Sequence, residues 1–252
     1  NNIMNAGEKI GLDWKSDGKN QKTLNLEAEI PYIFKTPVSF RGSINIFKQD
    51  SIFQNTKTNI ALGYSLNFKS KIYLGYQETE SNDINNKNSS FISDFKNKFT
   101  TLSYEFEKNE TENLLFPLKT NLIFKMGIGN RTNENQIITS LEASHHFYLN
   151  PKNAFLVKSL NYYLKSNSYL TNELFRFGGI NSLRGFNENS LQGNLINSVL
   201  TEYQYIANNN LYFHTILDYG IIQNKWINTS TKLVGIGLGF GLQTKNGLLH
   251  FV

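Results

Sequence analysis

Two acidic residues, Glu202 and Asp218, have the side-chain type and the strand parity to support chemistry together. The segments around them alternate apolar and polar residues, and both carboxylates fall on the polar, inward side of that alternation. Paired carboxylates on neighbouring strands could serve as the catalytic acids of a glycosidase. Nothing else in the sequence resembles a sugar cleft, so this is the weaker alternative. The same carboxylates could line a pore, or they could bind a cationic side chain.

Other catalytic and metal-binding patterns are missing from the sequence. The four histidines, His145, His146, His214 and His250, show no zinc-ligand spacing, and His145 and His146 would point to opposite faces of a strand. The chain has no cysteine, which excludes thiolate metal sites and cysteine nucleophiles. There is no GxSxG element, and no helix pattern follows the glycine-rich segment 235–241. We therefore expect no enzyme, no metal and no other cofactor.

The segments that carry these residues alternate with period two, which is typical of β-strands with one apolar face. For example, Val234, Ile236, Leu238 and Phe240 alternate with glycines. Most of the predicted strands reach ten residues, whereas strands of soluble sheets usually have about five or six and a tilted transmembrane strand needs roughly 9–11. The alternation predicts strands near residues 6–14, 22–33, 37–48, 57–68, 71–79, 98–107, 114–129, 136–148, 153–164, 194–206, 210–222 and 232–245, and from about 248.

The connections between the predicted strands alternate between short and long. Tight turns fall near 69–70 and 150–152, and long polar loops near 80–97 and 166–193, which is the layout of outer-membrane barrels. No apolar run approaches the ~20 residues of a membrane-spanning helix. The net charge of +5 is spread without a basic cluster, which argues against binding to nucleic acid. We predict an all-β, antiparallel transmembrane β-barrel domain over residues 1–252.

One loop carries the most specific signal, FRFGGINSLRGFNENSL at residues 175–191. Its glycine pair and the tetrad that follows resemble the sixth extracellular loop of the BamA/TamA superfamily of outer-membrane assembly factors and two-partner secretion transporters. Downstream, 201–205 resembles the family's ExR segment with Gln204 in place of arginine, 216–220 resembles FxDxG, and 235–241 resembles the glycine-rich fourteenth strand. The matching loop positions are Gly178, Gly179, Leu183, Arg184, Gly185 and Phe186.

The resemblance implies how this loop is held. In the family the loop folds back into the barrel, so Arg184 would dock on Glu202 and Asp218 as a charge-assisted pair. The barrel of the full protein would have sixteen strands, and this sequence would lack the first two, most of the fifteenth and the last. Glycines on the inner face would let the returning loop approach the wall closely. These loop-accommodating positions are Gly235, Gly237, Gly239 and Gly241.

The resemblance also implies a function that needs no chemistry. The barrel would insert outer-membrane proteins or move a polypeptide across the bacterial outer membrane, with a weak seam between its first and last strands that pairs with the client. Its partners would be outer-membrane lipid and lipopolysaccharide, client β-barrel or secreted polypeptides, periplasmic POTRA domains and accessory lipoproteins. A passive or substrate-selective porin would share the strands without needing the loop motif. The barrel could also anchor an enzyme domain outside this sequence, and detergent-free solubility would instead indicate a soluble β-sandwich.

Overall fold

The structure, a computed structural model, describes residues 7–17, 20–84, 92–110, 115–244 and 247–252. Within these ranges, no helix combines the length and the apolar character needed to cross a membrane. The helical elements described are two single 3-10 turns, η1 (Ile33–Lys35) and η2 (Thr171–Glu173). The strands described are β1 (Lys9–Ser16), β2 (Gln21–Ile30), β3 (Val38–Gln49), β4 (Phe53–Ser65), β5 (Ser70–Asp83), β6 (Phe95–Asn109), β7 (Leu118–Arg131), β8 (Glu134–Asn150), β9 (Asn153–Lys165), β10 (Phe175–Phe177), β11 (Leu191–Gly193), β12 (Leu195–Asn208), β13 (Leu211–Asn224), β14 (Thr229–Thr244) and β15 (Gly247–Phe251).

The strands pair in chain order. Thirteen of them form one sheet in the order β1 to β9 and then β12 to β15, while β10 and β11 form a separate two-stranded sheet. The pairing is antiparallel, as predicted, and its register places Asp218 of β13 opposite Leu200 of β12 and Gly235 of β14. Residues of the three consecutive strands β12, β13 and β14 are therefore brought side by side.

The thirteen predicted strands agree with those of the sheet, with differences at their ends. β5 continues to Asp83 and β6 starts at Phe95, so the predicted 80–97 loop is shorter than expected. Residues 85–91 of that loop, and the predicted strand ends at 6, 114 and 245, lie outside the described residues. The sequence did not predict β10 and β11, because three residues are too few to show a period.

Many apolar side chains lie on the exposed face of the strands and many polar side chains on the buried face, the reverse of a water-soluble sheet. On β14, Ile236 and Leu238 are 79% and 75% exposed. On β5, Gln77 and Ser81 are buried. This distribution is expected for strands whose outer face meets lipid. Other exposed apolar residues are Ile60, Leu62, Tyr64, Leu74, Phe213, Leu217 and Tyr219, and other buried polar residues are Asn97, Thr101, Gln136, Ser198 and Gln204.

The chain divides into two compact units. The interior of the second unit contains an apolar cluster to which the long β9–β12 loop contributes Phe177 and Leu183. Burying these two side chains holds the loop against β9, β12 and β13. The first unit consists of Asn1–Tyr104, Lys125–Thr139 and Leu164–Leu174, and the second of Glu105–Phe124, Ser140–Tyr163 and Phe175–Val252. The buried members of the cluster are Leu160, Phe177, Leu183, Ile196, Leu200 and Ile222.

Candidate functional site

The motif lies in the β9–β12 loop, beyond the short β10–β11 ladder. This ladder joins the two limbs of the loop over three residue pairs. Gly178 and Gly179 follow it, both with φ +106°, a conformation that L side chains rarely adopt. A Cβ at Gly178 would also overlap the carbonyl oxygen of Asn187 on the returning limb. The glycine pair therefore fixes the turn that directs the tetrad towards the sheet.

Arg184 is buried and bonds two acidic residues. Its Nε donates to Asp218 Oδ2 at 2.8 Å and its Nη2 donates to Asp218 Oδ1 at 2.6 Å, which makes the pair bidentate. Its backbone N–H also donates to Asp218 Oδ2 at 3.1 Å. Its Nη1 donates to Glu202 Oε1. We call Arg184 with Glu202 and Asp218 the Arg184 anchor.

The two carboxylates reach Arg184 because of strand parity. On β12 the side chain of Glu202 is buried, whereas its neighbours Thr201 and Tyr203 are more exposed. On β13 Asp218 is fully buried and its neighbours Leu217 and Tyr219 are exposed. Both carboxylates bond to Arg184, which fits the expected binding of a cationic side chain better than the catalytic acids of a glycosidase.

Glu202 has further partners on its second oxygen. Gln204 Nε2 donates to Glu202 Oε2 at 2.9 Å, and His214 Nδ1 lies 3.2 Å from the same oxygen. Buried charges are tolerated only when they are paired and their remaining hydrogen-bonding capacity is satisfied. In the anchor both carboxylates are bonded to the guanidinium, and Glu202 Oε2 has Gln204 and His214 as further partners.

One glycine of β14 allows the loop to reach the sheet. A Cβ at Gly235 would overlap the backbone carbonyl oxygen of Arg184. The next loop residue, Gly185, has φ +87° and lies next to Gly235. The other glycines expected to accommodate the loop have different neighbours. A Cβ at Gly237 would make only ordinary contacts, with Ile216 at 3.7 Å and Val252 at 3.9 Å. The space at Gly239 and Gly241 is taken by the side chains of His214 and Tyr212, because large β13 residues lie opposite them. In this respect the structure differs from the expectation.

The remaining residues of the tetrad pack on the apolar cluster. Leu183 is fully buried in this cluster, and the partly buried side chain of Phe186 packs against it. The Leu183 methyl groups also contact the position of Gly220, where a Cβ would lie 3.4 Å away. Apolar burial on both sides of Arg184 therefore supports the ion pairs in holding the loop.

A second polar network, in the first unit, was not predicted from the sequence. Glu173 of η2 accepts a hydrogen bond from Arg131 Nη1 and, at 2.7 Å, from Gln136 Nε2. Arg131 Nη2 also donates to Glu134 Oε2 at 2.7 Å and to Ser168 Oγ at 2.6 Å. We call Glu173 with Arg131 and Gln136 the Glu173 anchor. These residues belong to no sequence motif. The only sequence feature that could have indicated the network is the position of Arg131 and Gln136 near the ends of strands that face the loop.

Neighbouring polar residues extend this network. Asn172 Nδ2 donates to Ser81 Oγ at 2.7 Å, and the Asn172 carbonyl oxygen accepts from Asn55 Nδ2 at 2.6 Å. Burial raises the pKa of Glu173 above its usual range, although the Arg131 guanidinium acts in the opposite direction. The amide donors around Glu173 therefore matter for keeping its carboxyl group satisfied.

Comparison with known proteins agrees with this architecture. The chain matches the Omp85 superfamily domain over residues 2–249. It is similar in structure to BamA from Haemophilus ducreyi lacking POTRA domains 1–3, with a TM-score of 0.73, 18% identity and coverage of 99% of this chain and 61% of that chain. It is also similar to CdiB from Acinetobacter baumannii, with a TM-score of 0.68, 16% identity and coverage of 99% and 50%. No curated protein sequence matches the chain.

These likenesses concern the fold, and the chain spans less than two thirds of either solved protein. The family match covers nearly the whole chain and indicates an outer-membrane β-barrel protein. At family level it supports a role in inserting or transporting proteins, and it gives no positive sign of an enzymatic activity. On the strength of that match, the chain belongs to the Omp85 superfamily.

Proposed function

We propose that the chain is the transmembrane part of a protein that inserts outer-membrane proteins or translocates a polypeptide, and that the Arg184 anchor holds its long loop inside the barrel. The observation that carries this proposal is the bidentate Arg184–Asp218 pair, reinforced by Glu202 and seated over Gly235. A loop that only hung over a pore would leave Arg184 in water. Here the guanidinium is buried instead.

The membrane setting is supported by the reversed polarity of the strands. Exposed residues such as Ile236 and Leu238 would contact lipid and lipopolysaccharide of the bacterial outer membrane, while the buried polar face would line the lumen. A barrel of sixteen strands, as the family resemblance implies, would pair its strand edges within the membrane, and only weakly between the first and last strands. We infer residues 1–252 to be part of that single domain.

The working part of this mechanism is a seam between the first and last strands of the complete barrel. An unpaired strand edge readily adds another strand, so a weak seam can hydrogen-bond to an incoming client β-strand. The anchored loop would brace the wall next to the seam without bonding the client itself. Client β-barrels or secreted polypeptides, POTRA domains and accessory lipoproteins are the partners that this mechanism would use.

The test is to replace Arg184 in the full-length protein. Arg184→Ala leaves two buried carboxylates unpaired, and breaking a buried pair costs about 3–5 kcal/mol. A loss of about 3 kcal/mol lowers the population of the docked loop roughly 100-fold. We expect the assembly of other outer-membrane β-barrels, or the export of the secreted partner, to fall in cells that carry only this variant.

Two further variants make the outcome specific. Arg184→Lys keeps the charge but not the planar pair of donors, and we expect it to restore only part of the activity. Lys232→Ala removes a cation from an exposed position of β14 and serves as the control. If Arg184→Ala changes small-solute flux while client assembly and export stay normal, the assembly function is wrong and a porin is the better account.

A further inference from the structure

Three metal-ligating side chains meet beside the Arg184 anchor. Glu202 comes from β12, His214 from β13 and His250 from β15. One ligand atom from each of the three lies within 4.8 Å of the other two. Glu202 and His214 are buried, and His250 is partly buried. The imidazole rings of His214 and His250 have centroids 4.7 Å apart.

The described hydrogen bonds at this cluster leave one histidine ring nitrogen without a partner. His250 Nε2 is buried and has no hydrogen-bond partner among the described residues. His214 lies between two acceptors, with Nδ1 3.2 Å from Glu202 Oε2 and Nε2 3.3 Å from the carbonyl oxygen of Phe251. The unpartnered His250 nitrogen, next to the Glu202 carboxylate and the His214 ring, is therefore available to bind a cation.

We propose that Glu202, His214 and His250 bind a divalent transition-metal ion, with Zn²⁺ as the best fit. Two imidazoles and one carboxylate suit Zn²⁺, whereas Mg²⁺ and Ca²⁺ prefer oxygen ligands only. Three atoms no more than 4.8 Å apart lie within about 2.8 Å of a common point, and zinc bonds to nitrogen and oxygen are about 2.0–2.2 Å. Each ligand atom therefore needs to move by less than about 1 Å, within reach of side-chain rotation.

This site is connected to the Arg184 anchor through Glu202. One oxygen of that carboxylate, Oε1, accepts from Arg184, while the other, Oε2, faces His214. An ion bound at Oε2 leaves Oε1 to the arginine, so both can be held at once. The ion would also link β15 to β12 and β13, strands that are not its neighbours in the sheet. Metal binding should therefore stabilise the β12–β15 part of the sheet.

The experiment uses the full-length protein, purified in detergent micelles with affinity tags removed and treated with a chelator. Titration with ZnCl₂ by calorimetry should show one ion per chain, and Co²⁺ should give the visible absorption of a four- or five-coordinate site. His250→Gln should weaken Zn²⁺ binding by more than about 100-fold, because removing a ligand exceeds the 10–100-fold effect of removing an outer-shell partner. MgCl₂ should give no binding.

A matched control comes from His145 on β8. Its Nδ1 lies 2.9 Å from Thr120 Oγ1 and it is not part of the cluster. His145→Gln should bind Zn²⁺ as the unchanged protein does, and only the unchanged protein and this control should gain thermal stability from Zn²⁺. The proposal is overturned if the unchanged protein binds no Zn²⁺, or if His250→Gln and His145→Gln alter binding to the same extent. His214→Gln gives a second, independent measurement at the buried ligand.

Discussion

The β9–β12 loop is held at two places by ion pairs of opposite arrangement. In the Glu173 anchor the loop supplies the anion and strand β7 supplies the arginine. In the Arg184 anchor the loop supplies the arginine and strands β12 and β13 supply the anions. Both pairs are buried, so in each case the charge brought in by the loop is neutralised by a charge already fixed on a strand.

The two anchors differ in how their bonds are distributed. Arg131 shares its donors among Glu173, Glu134 and Ser168, so the loss of one acceptor leaves others in place. Asp218, in contrast, receives three bonds from Arg184 alone, two from the guanidinium and one from the backbone. The difference indicates that the Arg184 anchor depends on single residues, whereas the Glu173 anchor depends on a network.

The largest effect is expected from Asp218→Ala. This change leaves Arg184 buried with only Glu202 as its charged partner, and removing one member of a buried pair costs about 3–5 kcal/mol. The free energy of unfolding, measured by urea titration in lipid vesicles, should fall by that amount. A loss below about 1 kcal/mol, the level of an exposed pair, would contradict the view that this anchor depends on single residues.

A smaller but specific effect is expected from Gly235→Ala. The new methyl group would overlap the Arg184 carbonyl oxygen, and because this is a backbone atom the loop itself must shift. Overpacking of this kind costs about 1–3 kcal/mol. Protease cleavage within the 178–190 segment should become faster.

The control for this prediction is Gly237→Ala, two residues along the same face of β14. There the methyl group would make only ordinary contacts, with Ile216 at 3.7 Å and Val252 at 3.9 Å. Its cleavage rate should match that of the unchanged protein. Equal cleavage of both variants would show that the loop does not rest on Gly235.

For the Glu173 anchor, Glu173→Gln should cost less than Asp218→Ala. The amide keeps the shape and can still accept from Gln136, and Arg131 retains Glu134 and Ser168. The loss of one charge-assisted hydrogen bond is worth about 1.5–3 kcal/mol. The same urea titration should place this variant between Gly237→Ala and Asp218→Ala. If Glu173→Gln lowered the free energy of unfolding as much as Asp218→Ala, the Glu173 anchor would be no more redundant than the Arg184 anchor.

The smallest effect is expected at a partly exposed pair, Lys119–Glu110, with Nζ and Oε2 2.9 Å apart. The hydrogen bond from Lys119 lowers the pKa of Glu110 below its usual range. A lowered pKa contributes stability that is present above the unfolded pKa and is lost as the pH falls through the folded pKa. Lys119→Ala should therefore be slightly less stable at neutral pH and equal to the unchanged protein in acid. A large difference at any pH would contradict the contrast between exposed and buried pairs.

Strand pattern and loop anchor were predictable from the sequence to different degrees. The period-two alternation placed β12, β13 and β14 and gave the inward parity of Glu202 and Asp218, because one face of each strand is largely apolar. It could not give β10 and β11, which are too short to show a period, or distinguish Gly235 from Gly239. That distinction depends on whether Arg184 or the His214 side chain occupies the space over the glycine. It is decided by the register and the side-chain sizes of three strands together.

The Glu173 anchor and the proposed metal cluster were hidden for a related reason. Their members come from distant segments, such as Arg131 and Glu173, or His214 and His250, and no local spacing connects them. The antiparallel pairing brings His214 and His250 together, and the path of the β9–β12 loop brings Glu173 to Arg131. Such clusters share no sequence motif, so they can be recognised only once the strand register and the path of the loop are known.

The position of Asp218 also has a consequence for the order of folding. Most contacts in the sheet join neighbouring strands, so β-hairpins can form as the chain becomes available. Arg184, however, lies 34 residues before its main partner. The loop can be anchored only after β12 and β13 have both formed, because these strands carry Glu202 and Asp218. Formation of the Arg184–Asp218 ion pair is therefore a late step, which requires that the strands following the loop, β12 and β13, are already in place.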